Sequence, residues 1–144
     1  MTSRTNNKKR GAFTIVEVIV VVVIIGVLAA IVAPRLVGRV GQAKQSAAKS
    51  GASSLATQMK LFITDCGMPP EGSDITVLWQ RPSDVDEGAW QGPYVDSEDD
   101  LLDPWNNFFE LVVPGEKNVD FDIVSYGADG APGGEDENAD IVAP

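Results

Sequence analysis

FTIVEVIVVVVIIGVLAAIVA, residues 13–33, is the stretch on which the reading of this 144-residue chain turns. A helix rises about 1.5 Å per residue, so this run reaches roughly 30 Å, the depth of a bilayer's hydrocarbon core. From Val18 to Ala33 no residue is charged. Ahead of it, in the polar residues 1–12, stand Arg4, Lys8, Lys9 and Arg10. A basic flank stays on the cytoplasmic side, so the remainder of the chain is expected to cross. A cleaved secretory signal is the plainer alternative. Its apolar region is shorter, however, and Pro34 directly follows the small residues Ala29, Ala30 and Ala33. Glu17 interrupts the run. A carboxylate in an apolar span costs several kcal/mol and is by default a functional candidate. The competing reading places it at the membrane edge, snorkelling or protonated.

Composition excludes several chemistries. Lys plus Arg is 11 and Asp plus Glu is 21, a net charge of −10, with no His and one Cys. Without His there is no His-dependent catalytic dyad or triad and no imidazole metal site. One Cys forms no intramolecular disulfide. The acidity argues against nucleic acid as a partner. The charge is unevenly spread: four of the 11 basic residues lie in the first ten positions, and 14 of the 21 acids lie beyond residue 90.

Beyond Pro34 the helical pattern continues. Leu36, Val40, Ala43 and Ala47 follow spacings of four, three and four, and Leu55, Met59 and Phe62 resume the stripe. Arg39, Gln42, Lys44, Gln45 and Lys49 form a polar face, read as solvated or as meeting acidic surface on a neighbouring subunit. One long bent helix is expected from about residue 14 to about 64. Gly26, Gly38, Gly41 and Gly51 weaken it, and Gly38 with Gly41 invites a local melt after Pro34. Cys66, next to Gly67, reads as a small buried apolar group.

Residues 65–104 are rich in Pro, Gly and acids and are expected to form a long variable loop, with one short helix near Ile75–Trp79. Trp79, Trp90 and Tyr94 would anchor it. Residues 107–126 then alternate as a β-hairpin. Phe109, Leu111 and Val113 share one face with Val119, Phe121 and Ile123, and Pro114–Asn118 forms the turn. That face is expected to pack on Leu55, Met59 and Phe62. Residues 127–140, GADGAPGGEDENAD, hold Asp129, Glu135, Asp136, Glu137 and Asp140 among four glycines. So many oxygen donors on a pliable loop suit a hard cation such as Ca²⁺, although the loop lacks the EF-hand order. A solvated acidic tail is the other reading.

Two resemblances organise these features. KKRGAFTIVEVIVVVVIIGVLAAIVAP resembles the start of the type IV pilin-like family. There a basic leader is removed by prepilin peptidase, the exposed Phe is N-methylated, and Glu is the fifth residue of the mature chain. Phe13 and Glu17 have that spacing, and Pro34 occupies the place of a helix-bending proline. Cleavage is expected between Ala12 and Phe13, although the family usually has Gly before the cut. A cut after Gly11 would spoil the Glu spacing. The resemblance gives Glu17 a role: pairing with the new ammonium on Phe13 of a neighbouring subunit, each charge tolerable only because of the other.

The second resemblance runs through LLDPWNNFFELVVPGEKNVDFDIVSYGADGAPGGEDENADI, which is similar to the C-terminal half of the major pseudopilin of type II secretion. The matching pieces are Asp103-Pro104-Trp105, Pro114-Gly115-Glu116, Ser125–Gly130 and Ala139-Asp140-Ile141; Trp90–Tyr94 also matches a loop of that family. Asn106 stands where the family has Gly, and the chain lacks the usual aromatic finish. The resemblance implies an α+β pilin-like fold, a long helix with a membrane-embedded first half packed on a small antiparallel sheet. It also implies Ca²⁺ on the loop 127–140, held by Asp129, Asp136, Asp140 and the backbone carbonyl of Tyr126. The expected organisation is a leader at 1–12, a transmembrane and assembly helix at 13–34, and a periplasmic domain at 35–144 whose helix covers 35–64.

The function that follows is structural. The chain would polymerise through its helix into a short periplasmic fibre, anchored first in the inner membrane, that drives folded proteins through the outer-membrane secretin. Other pseudopilins at the tip, the inner-membrane platform protein, prepilin peptidase and lipid would be its partners. A type IV pilin or minor pilin in a surface adhesion fibre is the alternative, as is a membrane-anchored domain that does not polymerise. An enzyme is disfavoured, since the acids lie in Gly-rich and solvated segments.

Overall fold

The computed structural model describes residues 13–143; the leader 1–12 lies outside them, as do the side chains of 33–37. The element order is one helix, α1 (Ile15–Cys66), then three short strands, β1 (Glu110–Val112), β2 (Asp122–Ser125) and β3 (Ile141–Ala143), with two short 3₁₀ turns between α1 and β1 and two between β2 and β3. The chain divides into two units, ending and beginning at Gly38 and Arg39.

In the first unit, α1 starts with a reciprocal cap. The Glu17 amide donates to Thr14 Oγ1 at 3.2 Å, and the Thr14 amide donates to Glu17 Oε2 at 3.4 Å. This is a capping box, in which two amides with no partner inside the helix are satisfied together. The apolar window Ile15–Val32 has a mean hydropathy of 3.3, and none of it is buried. The helical backbone continues through Pro34, Gly38 and Gly41.

In the second unit, α1 supplies one wall of the core. The buried stripe is Ala48, Ala52, Leu55, Ala56, Met59 and Phe62. Leu55, Met59 and Phe62 are where the periodicity places them; Val40, Ala43 and Ala47 are exposed instead. The alternative line of alanines, spaced by four, lets the sheet approach the helix closely. The Phe109 ring lies against Gly51, where an added Cβ would sit 3.2 Å from it. Gly51 is thus explained by packing within the chain. A Cβ added at Gly26 or Gly38 would meet nothing within 4 Å among the described residues.

The sheet order is β1-β2-β3, antiparallel throughout, with Leu111 opposite Ile123 and Val124 opposite Val142. Phe109, Leu111, Phe121 and Ile123 join the stripe of α1 in one core. Two features differ from the expected hairpin. Val119 is 91% exposed, while Asp122, on the opposite parity, is buried. The chain between β1 and β2 curls around Asp122 rather than running as strand, so the alternation seen in sequence overruns the true strand. The third strand, β3, has only three residues and gives no periodicity to read.

Residues 67–104 cover the other side of the core. Asp74 caps the turn Ile75–Leu78 by accepting from the Thr76 amide at 2.9 Å. Tyr94 stacks edge-on with Phe62 and Trp90, and its hydroxyl donates to Asp65 Oδ2 at 2.9 Å. Trp79 and Trp90 pack half-buried on the same core. Burial pushes the Tyr94 phenol well above its ordinary pKa. A second 3₁₀ turn, Glu98–Leu101, forms within the acidic run; the Asp100 carboxylate accepts from the Ser97 amide, and Leu101 is driven into the core.

Candidate functional site

The loop between β2 and β3 is held at both ends by the sheet. Its first turn, Gly127–Asp129, is 3₁₀, and Gly127 has a φ of 68°. A Cβ there would stand 2.6 Å from the carbonyl oxygen of Glu137, so only glycine lets the loop's two arms touch. The second turn, Asp136–Asn138, lies against α1: the Asp136 carbonyl accepts from Gln45 Nε2, and Glu137 fills the space beside Gly41. Asp136 itself has a φ of 54°, a left-handed conformation that aspartate adopts more readily than most residues.

The carboxylates expected to bind a cation are at separate places on this loop. Asp129 is exposed and accepts from the Ala131 amide at 3.3 Å. Asp136 is exposed. Asp140 is half-buried; its Oδ2 accepts from the Gly133 amide at 2.8 Å, while its Oδ1 is buried with no hydrogen-bond partner among the described residues. The Tyr126 backbone sits where β2 passes into the first turn. Among the described residues, no three Asp, Glu or Cys side chains converge as a metal cluster. The donor chemistry nevertheless suits Ca²⁺, which takes oxygens only and accepts backbone carbonyls beside carboxylates. The partnerless Asp140 Oδ1 is the atom an ion would satisfy.

A second polar arrangement supports the loop from beneath, and the sequence motifs that contain Asp103 and Ser125 give no sign that the two meet. Asp103, only 4% exposed, accepts from the Trp105 amide at 2.9 Å and the Asn107 amide at 3.0 Å through Oδ1, and from Ser125 Oγ at 2.6 Å through Oδ2. Ser125 Oγ accepts from the Gly127 amide at 3.3 Å, and Asn107 Nδ2 donates to the Gly127 carbonyl at 3.2 Å. The signal was present: an Asp-Pro-Trp-Asn-Asn turn carries a side chain able to accept from its own following amides.

The assembly residues lie in the first unit. Phe13 is 82% exposed, and Glu17 is exposed and engaged in its capping box. Pro34 lies within α1, with its side chain outside the described set, and Ala12 lies outside the described residues. Of the basic face, Lys44 places Nζ 5.9 Å over the Trp105 ring, and Lys49 is exposed.

Comparison with known proteins addresses both halves. A model of the prokaryotic N-terminal methylation motif matches residues 7–33, and one of type II secretion system protein G matches residues 35–144. The chain belongs to the type II secretion protein G family. Among relatives of this pseudopilin is the type II secretion system core protein G of Pseudomonas aeruginosa, 34% identical over 93% of this chain and 94% of that one. That of Xanthomonas campestris is 33% identical over 98% and 94%. A solved structure, the major pseudopilin from the type 2 secretion system of enterohaemorrhagic Escherichia coli, aligns with a TM-score of 0.62 at 26% identity, covering 74% of this chain and 87% of that one. The pseudopilin is a structural subunit of type II secretion, anchored to a membrane by its apolar helix.

Proposed function

We propose that this pseudopilin is inserted in the inner membrane with its C-terminal domain in the periplasm. Prepilin peptidase cuts between Ala12 and Phe13, and the mature chain polymerises through α1 into a periplasmic fibre. That fibre moves folded substrates toward the secretin. The observation that carries this reading is the 18-residue apolar window of α1 with no buried residue. Such a surface needs lipid before assembly and the helices of other copies afterwards. The partners are further copies of the chain, other pseudopilins at the tip and the inner-membrane platform protein. Glu17 sets the register by pairing with the ammonium on Phe13 of its neighbour. Deleting the chain from its host should abolish type II secretion, and overproducing it should yield fibres. Secretion at parental level after deletion overturns the reading.

The same reading includes Ca²⁺ on the loop 127–140, taken by Asp129, Asp136, Asp140 and the carbonyl of Tyr126. It is supported by the partnerless Asp140 Oδ1 and the all-oxygen character of the loop. Bound calcium would draw together carboxylates that otherwise repel and so stabilise the domain. Calorimetric titration of the purified chain with Ca²⁺, together with thermal unfolding, tests this. Absence of both binding and a rise in Tm would leave the loop a solvated acidic segment.

A further inference from the structure

The contacts beneath the loop close into a ring. Starting at Asp103, Oδ2 accepts from Ser125 Oγ, and Ser125 Oγ accepts from the Gly127 amide. The Gly127 carbonyl accepts from Asn107 Nδ2, and the Asn107 amide returns to Asp103 Oδ1. Three members of the ring have clear structural duties. Asp103 and Ser125 are buried and satisfy one another, and Gly127 lets the two arms of the loop meet. Asn107 is different. Its side chain is half-exposed, lies outside the core cluster, and reaches across 20 residues of sequence to one carbonyl.

That carbonyl precedes Ala128-Asp129, and the Asn107 carboxamide also lies 3.6 Å from where a Cβ on Gly130 would be. Asn107 therefore holds the start of the 3₁₀ turn bearing Asp129 at Gly127 and lies near the residue that ends it, Gly130. A peptide plane held at its carbonyl restricts where the next residues can lie, because each of them has only two soft dihedrals. Groups that hold a ligand-bearing segment, without touching the ion, typically change metal affinity by 10–100-fold when removed.

We propose that Asn107 is a positioning residue for cation binding: by holding the Gly127 carbonyl, it presents Asp129 to the ion. The proposal rests on the reading of the loop as a calcium site. A merely structural asparagine would affect folding and leave ion affinity alone; a positioning one does the reverse.

The test compares the full chain in detergent micelles with Asn107→Ala and Asn107→Ser, neither of which can reach the Gly127 carbonyl. Three quantities are read: calcium affinity by calorimetry, the unfolding midpoint in chelator, and amide exchange of residues 127–130 without calcium. Affinity should fall at least tenfold and the amides of 127–130 should exchange faster, while the amides of residues 48–62 of α1 keep parental protection. Affinity within twofold of the parent in a folded variant overturns the proposal, as does a variant that loses protection throughout α1. If the parent chain takes up no calcium, the calcium reading fails and this inference with it; if the parent binds and the variants bind equally, only this inference fails.

Discussion

Ser125 Oγ donates to Asp103 Oδ2 over 2.6 Å, and both residues are buried. The bond ties the middle strand β2 to the turn that precedes β1, and it is one of three that the Asp103 carboxylate accepts. Removing the hydroxyl leaves a buried carboxylate oxygen short of a donor, which costs more than the bond's net worth. Ser125→Ala is expected to lower the stability of the domain by about 1.5–3 kcal/mol, read as a shift of the urea midpoint at unchanged m-value. A loss under about 0.5 kcal/mol, the range of an inconsequential surface change, would mean that water replaces the hydroxyl.

Asp122 organises the link between β1 and β2. Its carboxylate accepts from the amides of Glu116 and Lys117, each at 2.7 Å, from the Asn118 amide at 3.1 Å and from the Asn118 carboxamide. Burial by itself would raise the carboxyl's pKa. The Lys117 amide, the Asn118 carboxamide and the other two amides outweigh it, so the pKa lies below the ordinary carboxylate value. A depressed folded pKa contributes stability that is complete above the unfolded pKa of about 3.9. That contribution fades as pH falls through the folded value. Asp122→Asn should therefore cost stability at pH 7, and the gap from the parent should narrow below about pH 4. Urea midpoints of both proteins from pH 7 to pH 2 check this; a gap constant across that range would refute it.

Two glycine substitutions should have opposite effects. Gly127→Ala forces a side chain into the left-handed region and against the Glu137 backbone. Its expected cost is about 1–3 kcal/mol for the backbone strain, with the steric clash in addition. Gly38→Ala meets nothing within 4 Å among the described residues in mid-helix, so about 0.5–1 kcal/mol of helix propensity is gained. Thermal unfolding and far-ultraviolet circular dichroism of the two variants measure the contrast.

Glu17 has two available duties, closing the cap on Thr14 and pairing with a neighbour's ammonium. Gln can serve in a capping box but carries no charge. Glu17→Gln should thus insert and fold like the parent yet assemble poorly, whereas Thr14→Ala should lose only a cap, about 1 kcal/mol, and still assemble. Fibre yield after overproduction separates them. Parental fibre yield from Glu17→Gln would assign the residue to capping alone.

Phe62 is 1% exposed at the centre of the core and meets Tyr94 edge-on at 5.6 Å. Phe62→Ala should cost about 3–5 kcal/mol. It should also loosen residues 67–104, seen as faster proteolysis of that segment than of β1–β3.

The parts of the fold that follow from one-dimensional periodicity are those the sequence expresses. The apolar run and the triplet Leu55, Met59 and Phe62 depend only on spacing along one helix. The length of α1, Ile15–Cys66, lies close to the expected 14–64 for the same reason. What the sequence hides depends on chain reversal. Val119 has the parity of a core residue, but the chain turns around Asp122 before a strand begins, so parity stops having meaning there. β3 is recognisable only by its pairing with β2. At the site, the acids of 127–140 are conspicuous by type and density. Their support from Asp103 and Asn107 is not, because the two segments are twenty residues apart and meet only after β1 and β2 have paired.

That β2 and β3 are neighbours in the sheet also bears on the loop between them. Pairing Ser125 with Ile141 brings the two ends together, so the entropy of ring closure belongs to the sheet and not to the loop's own contacts. This penalty grows only logarithmically, by about 0.6 kcal/mol for each doubling of length. For the exposed residues 131–135 the expense of a change in length therefore lies in lost contacts, such as the Gly133 amide on Asp140, and not in closure. The loop is in this sense a module whose ends, Gly127 and Asp140, are set by the sheet, so that its interior is shaped by its own contacts alone.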